Sequence, residues 1–299
     1  MRSQKQLRDE LQFVDDFSTL CDVMQRVAVT QLHRLDEHLA PQVPVTPVLA
    51  REFFPLLPMA ARHELLGHGA TEGRLVVAIT SDEGFVGPLH AAVMHRAIEK
   101  AGAGAHWMVI GQRGMRWLGE QPSASRHVMP IPPDEAAEEQ MQHVAQFVMA
   151  AYRRYRLSEA WLIAPRFVSM ARQEIAEYRL VPLPEPAPSQ ALHASNDRDL
   201  VMEPSPARVI ERVSMTWVAA VCVEAYWSAR RAEAAARALH LEAARRELAK
   251  RAQRIRYQCF KALHERMDVL VRETCVVQRH VVRQRAQSGT RYLEVPGTR

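Results

Sequence analysis

The chain has 299 residues, of which 47% are hydrophobic, and carries a formal net charge of +5, which suits one large or two modest domains with a core. It contains no run of about 18 apolar residues and begins with polar and charged residues, so we expect neither a transmembrane helix nor a signal peptide. The four cysteines lack CxxC spacing, which favours a reducing compartment and argues against metal or disulfide use.

The first predicted element is an amphipathic helix from Gln4 to Leu39. Its apolar residues recur at heptad spacing and form one stripe, made of Leu7, Leu11, Val14, Cys21, Ala28, Leu32, Leu35 and Leu39. Two heptad positions, Ser18 and Gln25, are polar, but an apolar residue precedes each of them. The drift of a 3.6-residue period against a 3.5-residue repeat produces this offset. A stripe of this kind needs a partner helix to cover it.

A connector with five prolines runs from Ala40 to Pro58 and leads into a short predicted helix. In that helix, His63 and His68 bracket a sequence similar to the zinc-protease motif HExxH, but the two histidines are five residues apart. Five residues span about 140° around a helix, so the two imidazoles cannot share one face. We therefore reject a zinc site here.

Strands and helices then alternate. Apolar strand runs lie at 75–80, 106–110 and 160–164, helical patterns lie at 89–101 and 138–155, and proline-rich loops or edge segments lie at 122–133 and 182–206. Alternation of this kind predicts a parallel sheet of Rossmann-like type. The sequence contains no GxSxG motif, no cluster of metal ligands and no paired carboxylates in a defined context, so we predict no catalytic site, no metal and no cofactor.

The turn after the first strand has two glycines, in the sequence Ser81-Asp82-Glu83-Gly84-Phe85-Val86-Gly87. It matches neither GxGxxG nor GxxxxGK[ST], it lacks a lysine for a phosphate, and its two carboxylates would repel one. We interpret Ser81, Asp82, Gly84 and Gly87 as a structural strand-to-helix turn.

The last third of the chain, from Ser205 to Thr290, is one long helical pattern. Ser205 is a predicted N-cap and Pro206 the first helical residue. Its apolar stripe consists of Leu248, Ala252, Ile255, Cys259, Leu263, Met267, Leu270, Val277 and Val281. Two stripes at opposite ends of one chain predict a long antiparallel coiled coil with an inserted Rossmann-like α/β domain. The expected boundaries are 1–40 and 205–290 for the helices, 41–204 for the α/β domain and its connectors, and 291–299 for a tail.

Charge is unevenly placed. Residues 206–290 hold 17 Lys and Arg against 8 Asp and Glu, a net charge of +9, which leaves −4 for the remainder. A basic helix suggests an acidic protein surface or nucleic acid as partner, although a solvated arginine-rich face is equally consistent with charge alone. Aromatic residues of this helix occur at helical spacings typical of packing, so we expect no single-stranded nucleic acid partner.

Four motifs in order resemble the gamma subunit of F-type rotary ATP synthases. The strongest is the strand and turn from Leu75 to His90, similar to the family's S-D-x-G-x-x-G-x-L-N, with His90 in place of the usual asparagine. The others are Leu20–Ala28 for I-T-x-A-M-x-x-V-A, Val109–Gly114 for I-G-x-K-G and Met202–Ser205 for F-E-P-S. The family's C-terminal motifs are reduced at 241–250 and 279–285, a divergence that resembles the alternate, sodium-type bacterial enzymes.

The resemblance implies that the two helices form a shaft inside a hexamer of ATP synthase alpha and beta subunits. It also implies that the α/β domain stands on the membrane rotor ring beside the epsilon subunit. The chain would be peripheral, on the cytoplasmic face of the bacterial inner membrane and without direct insertion, while alpha and beta carry out catalysis. Rotor or partner contacts are expected at Met24, Val27, Arg245, Arg246, Lys250, Arg251, Arg254 and Arg256.

Two alternatives stay open at this point. One is a coiled-coil adaptor derived from the gamma architecture, which the reduced C-terminal motifs favour. The other is a small-molecule or nucleotide-binding α/β enzyme with helical arms. Copy number in an alpha/beta assembly would test the first, and nucleotide affinity of the isolated chain would test the second.

Overall fold

The structure is a computed structural model that describes residues 4–39, 44–59, 63–67, 73–119, 122–184 and 203–289. Its helices are α1 (Gln4–Leu39), α2 (Val45–Val48), α3 (Leu89–Ala101), α4 (Gln112–Leu118), α5 (Ala137–Arg154) and α6 (Pro206–Gly289). Its strands are β1 (Arg74–Ile79), β2 (His106–Ile110), β3 (Ser125–Met129), β4 (Glu159–Ser169) and β5 (Arg172–Val181). A π-helical turn at Leu49–Phe53 and 3₁₀ turns at Phe54–Met59, Glu64–Leu66 and Asp134–Ala136 complete the description.

The chain forms two compact units. The α/β unit comprises Val23–Glu242, and the helical unit comprises Met1–Asp22 and Ala243–Arg299. The predicted bounds of α1, and of the strands β1 and β2, agree with the structure to within one residue. Ser205 caps α6 as predicted, because its Oγ accepts a hydrogen bond from the Arg208 amide at 3.4 Å.

The α/β unit is built on a five-stranded sheet in the order β3-β2-β1-β4-β5. The first four strands are parallel, which confirms the Rossmann-like prediction, and β5 returns antiparallel to β4. Side chains alternate between two covered faces. Val76, Ala78 and Trp107 pack with α3 on one face, whereas Leu75, Val77 and Leu162 pack with α5 and α6 on the other.

Within the α/β unit, α1 runs antiparallel to α6. Ala28, Leu32 and Leu35 are buried, as the heptad stripe predicted. Asp36 forms an ion pair with Arg231 at 2.6 Å, and Gln31 lies beside Arg237. The later residue of α1 therefore contacts the earlier residue of α6, as an antiparallel pair requires.

Within the helical unit, the two helices also pair antiparallel. Leu7 and Val14 of α1 are buried together with Ala252 and Ile255 of α6. Beyond Ala262, the remaining predicted stripe of α6 is exposed, from Leu263 at 40% to Val277 at 62%. The stripe is therefore covered only where α1 lies beside it in the described chain.

In the described residues between α1 and β1, the predicted connector is helical from Val45 to Met59, in successive α, π and 3₁₀ segments. His63 caps a single 3₁₀ turn, where its Nδ1 accepts a hydrogen bond from the Leu65 amide at 3.2 Å. The second histidine of the rejected zinc motif, His68, lies outside the described residues. Within the part of the chain that the structure describes, no group of three potential metal ligands comes together.

Candidate functional site

Hydrogen bonds connect the turn after β1 to the ends of the neighbouring strands. Asp82 accepts hydrogen bonds from the Gln112 amide at 2.6 Å and from the Ile131 amide at 2.9 Å. These two amides follow β2 and β3, so one carboxylate ties together the ends of three neighbouring strands. Asp82 thus links the turn to the ends of β2 and β3, and its purely structural role stays a prediction.

Ser81 and His90 lie behind the turn. Ser81 Oγ donates a hydrogen bond to the Glu83 carbonyl at 2.9 Å and lies 3.1 Å from His90 Nε2. Both residues are buried, and burial lowers the pKa of His90 below its ordinary value although Glu233 and the Glu83 carbonyl oppose the shift. A neutral His90 imidazole can therefore accept or donate a hydrogen bond to the groups of the turn that face it.

The glycines of this region serve close packing and backbone geometry. A Cβ at Gly111 would lie 2.7 Å from the Ser81 amide nitrogen, which is less than any contact that a side chain tolerates. Gly87 has φ +61°, which favours glycine, and faces His240 of α6. Gly84 faces the Arg113 guanidinium, which a Cβ would approach to 2.8 Å. Protein groups therefore occupy the space that a phosphate would need.

Helix α6 fills the crevice at this edge of the sheet. In open α/β sheets a ligand binds beyond the carboxyl ends of the strands at the point where the strand order reverses. Here that point is at β1, because β2 and β3 follow on one side of it and β4 lies on the other. Arg237 of α6 reaches this position: its Nε donates to the Gly84 carbonyl at 3.2 Å and its Nη2 lies 3.0 Å from the Glu83 carboxylate. This geometry favours a scaffold over a nucleotide-binding domain.

Arg237 also pairs with Glu233, one helical turn earlier, and both side chains are buried. Its Nη1 donates to Gln31 Oε1 of α1 at 3.4 Å. One guanidinium therefore connects α1, α6 and the turn. The sequence pattern does not reveal this pair, because a glutamate four residues before an arginine is ordinarily a solvent-exposed helical pair.

The predicted basic contact residues fall into two groups in the helical unit. Three of them pair with carboxylates of α1: Arg245 with Asp22 at 2.9 Å, Arg251 with Glu10 at 2.7 Å and Arg256 with Asp15 at 3.2 Å. The other three, Arg246, Lys250 and Arg254, are exposed, as Arg251 and Arg256 also are, and Lys250 lies 2.7 Å from Glu247 of its own helix. Five of the six predicted cations therefore lie on the surface of the helix pair.

Met24 and Val27 lie in the part of α1 that belongs to the α/β unit. Met24 is half-buried, whereas Val27 is 51% exposed. Neither lies in the buried stripe that contains Ala28, and exposed Val23 adds to the outward apolar surface. Their role as rotor contacts stays a prediction.

Many apolar side chains of α6 are exposed in the helical unit. They include Tyr257 at 72%, Phe260 at 65%, and the stripe residues Met267, Leu270, Val277 and Val281. Exposed aliphatic and aromatic side chains in such a row mark a surface that another protein covers.

In the described residues, no helix combines the length and the hydrophobicity needed to cross a membrane.

Comparison with known proteins matches this architecture. A family model described as ATP synthase matches residues 3–262. Relatives include the ATP synthase gamma chain of Acidiphilium cryptum, 23% identical over 71% of this chain and 77% of the relative, and that of Symbiobacterium thermophilum, 25% identical over 70% and 74%. The chain belongs to the ATP synthase gamma family.

Solved structures of such enzymes share the fold. A chain in the mitochondrial ATP synthase of Euglena gracilis, in a structure of its OSCP, F1 and c-ring, aligns over 99% of this chain and 98% of its own length. Its TM-score is 0.64 and its sequence identity is 13%. A chain from the central stalk and c-ring of Tetrahymena thermophila aligns over 75% of this chain with a TM-score of 0.54.

Proposed function

We propose that this chain is the central-stalk rotor subunit of a rotary F-type ATP synthase. It couples ion flow through the membrane sector to ATP synthesis or hydrolysis in a hexamer of alpha and beta subunits. The observation that carries this proposal is the exposed apolar length of α6 beyond Ala262, on a chain that belongs to the gamma family. The chain contributes no bond chemistry of its own, and alpha and beta supply the catalytic sites.

The physical basis of the coupling lies in length and asymmetry. From Leu263 to Gly289, α6 continues for about 40 Å at 1.5 Å per residue, without a proline and with glycine only at its last residue. A single asymmetric helix inside a ring of three equivalent catalytic sites contacts each site differently. Rotation then shifts the populations of their open and closed states in turn.

The exposed cations Arg246, Lys250 and Arg254 are the proposed contacts to acidic segments of the beta subunits. Such surface pairs affect the association rate and its salt dependence more than the affinity. Arg245, Arg251 and Arg256 support the same surface indirectly, since their pairs with α1 hold the two helices together. Met24 and Val27 are the proposed contacts on α1.

The α/β unit is the proposed foot on the membrane rotor ring, beside the epsilon subunit. The Euglena structure contains a c-ring together with F1, which supports this arrangement. The chain would then be a peripheral subunit on the cytoplasmic face of the bacterial inner membrane. The coupling ion is a property of the ring, and a sodium-type enzyme stays a prediction from the reduced C-terminal motifs.

Co-expression with the alpha and beta subunits of the same genome tests the proposal. Native mass spectrometry is expected to find one copy of this chain per alpha/beta hexamer, with ATPase activity that falls when the chain is omitted. A matched control is the chain truncated after Ala262, which keeps the paired helices and lacks the exposed stripe. Several copies per assembly, or no association, would contradict the rotor and favour a coiled-coil adaptor.

A further inference from the structure

Small side chains line α6 where Leu32 of α1 packs against it. Ala234 and Ala235 lie at this contact, whereas the nearby buried Ala236 packs against Val86 and Leu89. Leu32 of α1 packs on Ala234 and Ala235. Small, identical side chains form shallow ridges, so a helix displaced by one turn along this surface would meet nearly the same contacts. At Leu32, apolar packing therefore defines the axial position of α1 weakly, whereas farther along α1 the His38 ring packs against Trp227 at a centroid distance of 5.0 Å.

A buried ion pair interrupts this surface. Among the described residues, Glu233 and Arg237 are the only Asp, Glu, Lys or Arg side chains that are buried. Arg237 meets acceptors from three segments: Gln31 of α1, the carbonyl of Gly84 and the carboxylates of Glu83 and Glu233. A buried guanidinium that loses its partners costs several kcal/mol, so the pair strongly favours the arrangement that supplies them.

The residues one turn before and after Gln31 on α1 cannot replace it as a partner of Arg237. One turn earlier α1 carries Val27, which offers no side-chain acceptor, and about one turn later it carries Arg34, which has the same charge as Arg237. A displacement of α1 in either direction would therefore place an apolar or a repelling side chain against the guanidinium. Polar residues in otherwise apolar helix pairs fix register by the same principle.

We infer that Arg237, held by Glu233, is the residue that sets the register of the helix pair: it fixes the axial position of α1 against α6 and the Ser81–Gly87 turn. The pair is a positioning device, and hydrophobic packing supplies most of the stability. This inference concerns the folded chain alone, and it stands or fails independently of the rotor function.

The test measures an interhelical distance in the full-length chain. Spin labels are attached at His33→Cys on α1 and Arg212→Cys on α6, two exposed positions of the α/β unit, with Cys259→Ser and Cys275→Ser to remove accessible thiols. Residue 212 lies about 33 Å along the helix axis from the part of α6 that faces residue 33. A slip of one turn changes this separation by about 5 Å, which pulsed electron resonance resolves.

The native pair is expected to give one distance. The double variant Glu233→Leu with Arg237→Met replaces the pair with apolar side chains of similar size, and we expect a second population displaced by about 5 Å in at least about a tenth of the molecules. A matched control, Arg166→Met with Glu174→Leu, removes an exposed pair of the β4–β5 hairpin and should keep the single distance. A single unchanged distance in the first variant, or a second distance in the control as well, overturns the inference.

If the double variant does not fold, Arg237→Lys gives the same test. A lysine can still pair with Glu233, but its single ammonium cannot reach the Gly84 carbonyl, Glu83 and Gln31 together. A broadened or doubled distance in this variant supports the inference. A single narrow distance overturns it.

Discussion

Glu224 of α6 caps the first turn of α2 across 178 residues of sequence, with its Oε2 2.6 Å from the hydroxyl of Thr46. Its Oε1 also accepts hydrogen bonds from the backbone amides of Val45 and Thr46 at 3.0 and 3.1 Å. A carboxylate at a helix N-terminus satisfies amides that have no partner within the helix. This single side chain therefore connects the segment after α1 to the long helix.

We predict that Glu224→Ala lowers the free energy of unfolding by about 2 kcal/mol, because three charge-assisted hydrogen bonds are lost at a part-buried site. Urea unfolding of the full-length chain measures the change. Glu273→Ala, which removes an exposed carboxylate of the same helix, provides the comparison and should cost less than about 0.5 kcal/mol. Equal losses in the two variants would contradict the capping role of Glu224.

The end of α5 offers a stabilising substitution. Arg156 has φ +50°, and it occupies the left-handed position of a Schellman motif in which the Leu157 amide binds the Tyr152 carbonyl at 3.0 Å. Arg156→Gly should raise the free energy of unfolding by about 0.5–1 kcal/mol, since glycine adopts this conformation without steric cost. Arg154→Gly, two residues earlier and within the helix, should lower it. Thermal unfolding distinguishes the two signs.

The close packing of the turn predicts a large cost at one glycine and a small cost at another. Gly111 and Gly104 both have positive φ, +98° and +69°, but only Gly111 would place a Cβ against backbone atoms. Gly111→Ala is expected to cost about 3 kcal/mol from strain and overlap, and Gly104→Ala about 1 kcal/mol from strain alone. The difference between their unfolding midpoints in urea isolates the steric term. Equal shifts would show that the overlap relaxes freely.

Acid should destabilise the α/β unit through His90. Burial lowers the pKa of His90 in the folded chain, so the unfolded chain binds the proton more readily and stability falls as the pH drops below about 6.5. His90→Asn, which introduces the residue usual in the family, should reduce the dependence of unfolding free energy on pH between 7 and 5. Some dependence remains, because burial also lowers the pKa of His106. An unchanged slope would show that His90 is not the group responsible.

The prediction for Met24 concerns the coupling of ATP hydrolysis to ion pumping. In the assembled enzyme, Met24→Lys should reduce the number of ions pumped per ATP while hydrolysis stays largely intact, because it adds a charge at a proposed bearing contact. Met24→Leu preserves size and polarity and serves as the control. The ratio of pumping to hydrolysis in reconstituted vesicles is the measurement, and an unchanged ratio in the lysine variant removes Met24 from the contact surface.

The spacing of apolar residues in the sequence predicted those helices and strands that bury one face or all of their side chains. The stripe of α1 and the apolar run of β1 are of this kind, and the structure confirms both. By contrast, β3 (Ser125–Met129) is an edge strand with largely exposed side chains, so it has no apolar pattern to detect. The β4–β5 hairpin escaped detection because its turn, at Met170 and Ala171, lacks the glycine or asparagine that usually marks a two-residue connection.

The contacts around the Ser81–Gly87 turn also include some that the sequence could predict and some that it could not. The turn at Ser81–Gly87 could be recognised from its local order of residues, and the interpretation of Ser81, Asp82, Gly84 and Gly87 as purely structural stays a prediction. The partners of Arg237 include Gly84, which is 153 residues away, and no local pattern reports a contact of that separation. Burial of a charged pair is a property of the tertiary structure, and sequence periodicity contains little information about it.

The uncovered stripe on α6 also has a consequence for the biogenesis of the enzyme. Before the proposed assembly with other subunits, a newly made copy exposes Tyr257 and Phe260 together with Met267 and Val277 of the stripe. Surplus copies are therefore expected to aggregate or to be degraded, because exposed apolar rows recruit both one another and quality-control proteases. Synthesis in matched amounts with the enclosing subunits would keep the number of unassembled copies low. The order of assembly would then depend on the length of α6 that α1 does not cover.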